Sequence, residues 1–374
     1  MKEAAEKPMR YGYTTGSCAT AAAKAALLSL ILQEKQTEAT ITLPIGQTAT
    51  FQMESCEFTA DMGVAGTIKD GGDDPDATHG ALIMSAVYWK DSPGIELDGG
   101  VGVGRVTKPG LPVPIGEAAI NPVPRRMIVE TVQEVLAEYD INRGVRVVVS
   151  VPDGEEIAKK TLNGRLGIVG GISILGTRGI VVPYSTSAWK ASIVQAMNVA
   201  VAGGCDHLVL STGGRSEKVG MDLYPDLPEE AFIEMGDFVG FTLLMCKKHP
   251  AVKKVSLIGM MGKFSKLAQG VLMVHSKSAP VDFGFLAKVA EEAGVPAELK
   301  EEILSATTAS YVGDLMMAQG YRHFFARLCQ YCCDVGLRHI GGGLELETVI
   351  TTMKGELLGR ESRYGASNQS DRDR

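Results

Sequence analysis

The segment KDGGDDPDATHG, residues 69–80, gathers Asp70, Asp73, Asp74, Asp76 and His79 among turn-forming residues. Carboxylates and an imidazole in one loop could serve as a general base or hold a divalent cation through oxygen ligands. They equally suit a solvated acidic loop, and the spacing of a calcium-binding helix–loop–helix is absent. The candidate catalytic residues are Asp73, Asp74, Asp76 and His79, and no metal-ligand set is assigned. A second group lies at Thr14, Thr15, Gly16 and Ser17, just before an alanine-rich run. Their hydroxyls can accept the unpaired amides of a first helical turn, which predicts a helix start. Such a start attracts an anion through its amides and dipole. A capped helix that packs closely through its alanines is the competing reading.

Two further loops follow apolar runs. In HLVLSTGGRSE, Ser211, Thr212, Gly213 and Gly214 lie just past an apolar strand, and in VSLIGMMGKFSKLAQG, Gly259 and Gly262 stand between strand and helix. Ligands of open α/β sheets lie at the carboxyl ends of strands, so these six residues form the expected cofactor site. Glycine also ends strands for steric reasons alone. No G-x-x-x-x-G-K-[ST] phosphate loop occurs. The glycines of ELDGGVGVGRV, residues 96–106, resemble a nucleotide loop, but Pro109 and Gly110 prevent a following helix, and the segment reads as a glycine-rich hairpin. Basic residues stand near glycine turns at Lys108, Arg125, Arg126, Arg165, Arg178, Arg215, Lys263 and Lys266. Arginine forks match carboxylates, so several converging on one cleft would suit a polyanion. His275, Trp189, Met260 and Met261 read as core or pocket lining.

These groups must be positioned by an ordinary globular chain. It has 374 residues, 45% hydrophobic and 22% charged, which predicts two domains. The net charge of −7 argues against a surface that coats nucleic acid. The opening MKEAAEKPMR has no apolar signal region, and the most apolar early stretch, Ala25 to Leu32, is too short to span a bilayer. A cytoplasmic location without membrane attachment is expected. Seven cysteines read as buried thiols, and Cys329, Cys332 and Cys333 lack the second ligand pair of a metal site.

Short alternating segments up to about residue 106, then a helix behind NPVPRR, predict an α+β domain over residues 1–144. From VRVVVSV onwards, apolar strands alternate with helices, including one around Glu229 to Lys247. This predicts a doubly wound α/β domain with a largely parallel sheet over residues 145–355. The polar end, residues 356–374, is expected to be disordered.

The segments GYTTGSCA, DGGDDPDATHG, GVGVGRVTKPGL, GEAAINPVPRRMI, LNGRLGIVGGISILGTRGIV, STGGRSE and IGMMGKFSKLAQG occur in that order along the chain. On them the chain resembles the CbiD family, the cobalt-precorrin-5B methyltransferases of the anaerobic cobalamin pathway. The resemblance implies methyl transfer from S-adenosylmethionine to carbon 1 of a cobalt-containing tetrapyrrole, with cobalt present only in the substrate. It also implies an N-terminal α+β part similar to the second domain of ribosomal protein S5, and a Rossmann-like C-terminal part. The macrocycle's carboxylates would meet Thr14, Thr15, Gly16, Ser17, Arg125, Arg126 and Arg215, and the acidic loop would supply any base. A small-molecule tetrapyrrole is the expected partner, with no nucleic acid, and a homodimer is kept open. A tetrapyrrole carrier and a small-molecule kinase are the rival functional classes.

Overall fold

Thr14 adopts extended backbone and its hydroxyl accepts the Ser17 amide at 3.2 Å, which starts helix α1 (Thr15–Leu32) as the spacing predicts. The computed structural model describes residues 8–365 and divides into two compact units, 1–186 and 187–374. Among the described residues, α1 is the one helix long and apolar enough to cross a membrane, longer than the stretch Ala25 to Leu32 suggested. It is a core helix: residues Thr15 to Ala23 are all buried. Alanines on every side let sheet and helix approach it from several directions.

The first unit contains β1 (Gly12–Tyr13), β2 (Glu38–Thr42), β3 (Thr48–Gln52), β4 (Ser55–Phe58), β5 (Met62–Ile68), β6 (Leu82–Lys90), β7 (Ile95–Gly99), β8 (Gly102–Val103) and β9 (Arg105–Val106). After helix α2 (Pro122–Glu138) come β10 (Gly144–Ser150), the short α3 (Gly154–Ala158), β11 (Ile168–Val169), β12 (Gly171–Ile172) and β13 (Ile180–Val181). Its main sheet runs β4-β5-β6-β10-β7, antiparallel except for the parallel pair β10 and β7. α1 packs on β5 and β6 on one side and on α2 on another. The opposite faces of β10 differ in character: Val145, Val147 and Val149 are fully buried, while Arg146 is exposed.

This placement corrects two expectations. VRVVVSV does not open the parallel domain; it inserts between β6 and β7, with Val147 opposite Val87 and Leu97. An apolar run states that a strand is buried but not which sheet buries it. The compact unit accordingly extends to Thr186 rather than ending at 144, because β11, β12 and β13 pair with β9, β8 and β1. The glycine-rich stretch is not a hairpin either: β7 pairs with β10, while β8 and β9 find partners near residue 170. Close approach explains its glycines, since a Cβ on Gly102 would lie 1.8 Å from the Val151 carbonyl oxygen.

The second unit follows with α4 (Thr186–Ala202), β14 (His207–Ser211), α5 (Gly214–Leu223), β15 (Phe232–Glu234), α6 (Val239–Lys248), β16 (Lys254–Met260) and α7 (Met261–Ala268). Then come α8 (Phe283–Glu292), α9 (Ala297–Leu304), α10 (Ala309–Ala318), α11 (Arg322–Ile340), β17 (Glu345–Thr351) and β18 (Leu357–Tyr364). The sheet order is β15-β14-β16-β17-β18; the first four strands are parallel and β18 is antiparallel to β17. A largely parallel sheet with helical connections is therefore present. The single helix expected over 229–247 is divided, since Phe232, Ile233 and Glu234 form an edge strand before α6 begins at Val239. The expected disorder from residue 356 is also corrected. Residues 357–364 are β18, whose Leu358 is buried and which covers the open edge of β17. The remainder of that stretch, 366–374, lies outside the described residues.

Candidate functional site

In the second unit β14 is flanked by β15 and β16, so the strand order reverses beside it. Crevices of this kind at the carboxyl ends of parallel strands are where open α/β sheets bind ligands. A cavity of about 960 Å³ opens there. Its base is made by Thr212, Gly213 and Gly214 after β14, Met260 at the end of β16, and Thr351 at the end of β17. The first turns of α5 and α7 also line it, and no side chain caps either helix. Both dipoles thus present their positive ends to one space. Val274, Pro280 and Val281 form one apolar wall, and Gly313 and Met317 of α10 contribute another.

Four of the six expected cofactor residues meet in this cavity: Thr212, Gly213, Gly214 and Gly262. Ser211 and Gly259 stand one residue behind the surface. Ser211 is buried, and a Cβ on Gly259 would lie 2.5 Å from the Phe264 ring. Gly259 is therefore required by packing. Gly213 is held at φ 154°, ψ 167°, a conformation open essentially to glycine.

The polar groups of the cavity differ in how well they are matched. Lys263 pairs with Asp237 at 3.0 Å and donates to the Thr212 carbonyl at 3.0 Å. Arg215, Asp314, Lys354 and Glu356 are exposed at the rim. Lys266 is only 5% exposed and donates to the carbonyls of His275 and Ser276 at 2.8 and 3.1 Å. Its position on α7 among Phe264, Leu267 and Ala268 resembles a core position, which is why basic character alone did not distinguish it in the sequence. Thr351 gave no sequence signal at all.

A smaller cavity, about 240 Å³, lies within the first unit. It joins Thr14 and Thr15 from the helix start to Asp76 from the acidic loop, with Lys69, Thr78, Thr161 and Asn163. Lys69 is 1% exposed and bonds Asp76 at 2.5 Å. Burial pushes the Asp76 carboxyl up, but the Lys69 ammonium and the Thr78 hydroxyl and amide outweigh it and hold the group below its ordinary range. Lys69 is a large fully buried cation that sequence reasoning missed, since it reads as the solvated end of a strand.

The remaining loop residues hold the loop itself. Asp73 accepts the Arg10 amide at 2.6 Å, Asp74 accepts the Tyr184 amide at 2.8 Å, and His79 Nδ1 accepts the Gly71 amide at 3.0 Å. Asp70 forms a forked pair with Arg10, which draws its pKa down to about 2. Of the four catalytic candidates, Asp76 alone lines one of these two cavities. Among the described residues no cluster of His, Cys, Asp and Glu could hold a metal ion.

The anion reading of the first helix meets a physical obstacle. The Gly16 amide donates to the Leu175 carbonyl at 3.0 Å and the Ser17 amide to the Thr14 hydroxyl, so these donors are already used. A Cβ on Gly16 would lie 2.6 Å from Pro124 Cγ, so the glycine serves close packing. Of the three arginines, two are ion-paired within the first unit and one lines the large cavity of the second. Arg125 pairs with Glu117 at 3.1 Å and Arg126 with Glu130 at 3.9 Å on α2, whereas Arg215 belongs to the second unit. Cys329, Cys332 and Cys333 are fully buried on α11, and burial pushes all three thiols up.

Comparison with known proteins supplies the identity of this architecture. A family model described as CbiD matches residues 2–183, and one described as CbiD, C-terminal domain, matches 273–362. The cobalt-precorrin-5B C(1)-methyltransferase of Priestia megaterium is 65% identical over 98% of this chain and 100% of its own length. The protein of the same name from Leptospira interrogans is 42% identical over 95% of this chain and 96% of its own. A crystal structure of the cobalamin biosynthesis protein CbiD from Archaeoglobus fulgidus is 30% identical, covers 68% of this chain and 78% of that one, and superposes with a TM-score of 0.39. With both family segments matched in order and relatives aligned nearly end to end, the chain belongs to the CbiD family.

Proposed function

We propose that this chain is a cobalt-precorrin-5B C(1)-methyltransferase of anaerobic cobalamin biosynthesis. It transfers a methyl group from S-adenosylmethionine to carbon 1 of the cobalt-containing tetrapyrrole and gives cobalt-precorrin-6A. The observation that carries this reading is the 65% identity to the Priestia megaterium enzyme over 98% of this chain and the whole of that one. We read the second unit as Rossmann-like, the first as similar to ribosomal protein S5 domain 2, and the enzyme as cytoplasmic.

The donor belongs in the large cavity of the second unit. The residues there suit it: apolar walls from Met260, Val274, Val281 and Met317 for a nucleoside, and uncapped helix starts with Lys266 for its charged end. S-adenosylmethionine, when bound, supplies an electrophilic methyl on a sulfonium. The chain then has to align the reacting atoms and exclude water, and alignment alone can remove roughly 7–11 kcal/mol of a bimolecular barrier. No covalent nucleophile is required. Asp76, which lines the small cavity and whose carboxylate Lys69 holds in place, is the acidic-loop residue this reading takes as proton acceptor. Arg125, Arg126 and Arg215 remain candidates for the tetrapyrrole's carboxylates.

The test is direct. Purified full chain with S-adenosylmethionine and cobalt-precorrin-5B should give a singly methylated product and one equivalent of S-adenosylhomocysteine by mass spectrometry. Binding of the tetrapyrrole with the donor left unconsumed would instead describe a carrier and end the methyltransferase reading.

A further inference from the structure

Two polar groups in the large cavity lack the partner that their burial demands. Lys266 is 5% exposed, yet no carboxylate lies within salt-bridge distance of it among the described residues. Its two hydrogen bonds go to neutral carbonyls, those of His275 and Ser276, which leaves one N–H of the ammonium and the whole charge unmatched. The nearby Lys263 is neutralised by Asp237, so the interior of the cavity holds one more cation than anions. Buried charges are ordinarily paired, because isolation from water is costly. Thr351, 1% exposed at the end of β17, lines the same cavity, and its hydroxyl has no hydrogen-bond partner among the described residues. Buried hydroxyls are ordinarily satisfied as well.

We infer that Lys266 and Thr351 form a carboxylate subsite, in which the ammonium and the hydroxyl bind the amino-acid end of the methyl donor. This rests on the placement of the donor in this cavity. A carboxylate that reaches both groups would neutralise Lys266, satisfy its third N–H and accept from Thr351. The uncapped first turn of α7, the helix whose last turn carries Lys266, also lines the cavity and adds dipole of the same sign. Such a subsite fixes one end of a long ligand while the apolar walls receive the nucleoside. The tetrapyrrole also carries carboxylates, and the experiment separates the two sources.

Calorimetric titration of the full chain with S-adenosylhomocysteine and with 5′-methylthioadenosine, which lacks the amino-acid end, provides the test. Wild type should bind S-adenosylhomocysteine at least about tenfold more tightly, the effect of a charge-assisted hydrogen bond. Lys266→Met, which keeps the length of the side chain and removes its charge, should erase that preference and leave 5′-methylthioadenosine affinity unchanged. Thr351→Val, of equal shape, should weaken S-adenosylhomocysteine several-fold while raising the melting temperature, since it removes an unsatisfied buried hydroxyl. Equal binding of the two ligands by wild type overturns the subsite without any variant, so a poorly folding Lys266→Met does not protect it. A Lys266→Met variant that weakens both ligands alike, or only the polycarboxylate uroporphyrin, also overturns it. Absence of S-adenosylhomocysteine binding to wild type overturns the donor placement itself, a result distinct from failure of the subsite alone.

Discussion

Gly259 and Gly262 are three residues apart in one sequence motif, and substitutions at them should fail in opposite ways. Gly262 is the second residue of α7 and lines the large cavity, and a Cβ built on it meets no heavy atom within 4 Å. Replacing glycine by a good helix former at such a position gains roughly 0.5–1 kcal/mol of helix stability. Gly262→Leu should therefore melt at or above the wild-type temperature while its side chain occupies space assigned to the donor. We expect S-adenosylhomocysteine affinity to fall at least tenfold, about 1.4 kcal/mol. A Cβ on Gly259 would instead lie 2.5 and 2.8 Å from Cε1 and Cζ of Phe264, whose ring is fully buried. Overpacking of this kind costs about 1–3 kcal/mol, so Gly259→Ala should melt earlier. Its residual folded protein should bind with an affinity reduced less than that of Gly262→Leu. Differential scanning calorimetry and isothermal titration on both variants decide the matter. Normal S-adenosylhomocysteine binding by folded Gly262→Leu would refute the placement of the donor, and a large loss of its stability would refute the open space around Gly262.

Three other outcomes follow from the geometry. Gly16→Asp should destabilise the first unit by about 3 kcal/mol or more, because its Cβ meets Pro124 and an unpaired carboxylate would be buried; a near-normal melting curve would restore the anion role of this turn. Asp76→Asn leaves Lys69 buried without its charge partner and should cost about 3 kcal/mol at neutral pH. Since the folded pKa of Asp76 lies below its ordinary value of about 3.9, this stability is present above that pH and lost as pH falls through the folded pKa; denaturant midpoints of variant and wild type should converge on acidification, and a constant gap would contradict the pairing. Cys329, Cys332 and Cys333, buried and pushed up, with Cys333 at about 12, should resist Ellman's reagent until the chain unfolds, and rapid labelling of the native protein would contradict their burial.

What the sequence determined by itself was what short-range chemistry determines. Thr14 could be read as an N-cap because its hydroxyl serves an amide three residues away, and the structure places it so. The strand-loop-helix contexts of Thr212 to Gly214 and of Gly262 were legible for the same reason: polar turns and apolar runs are local, and both loops line one cavity. Only tertiary structure decided what depends on distant partners. VRVVVSV is apolar in either sheet, and pairing with β6 and β7 assigned it to the first unit. The amide of Gly16 looked available until Leu175, far along the chain, accepted it. Gly259 and Gly262 are equivalent as letters, yet the Phe264 ring closes the space at one and leaves the other open. Nothing in the sequence marks Lys69 or Lys266 as buried, yet folding buries both and gives a carboxylate to Lys69 alone. Charge and burial are properties of assembled surroundings, and no spacing along the chain encodes them.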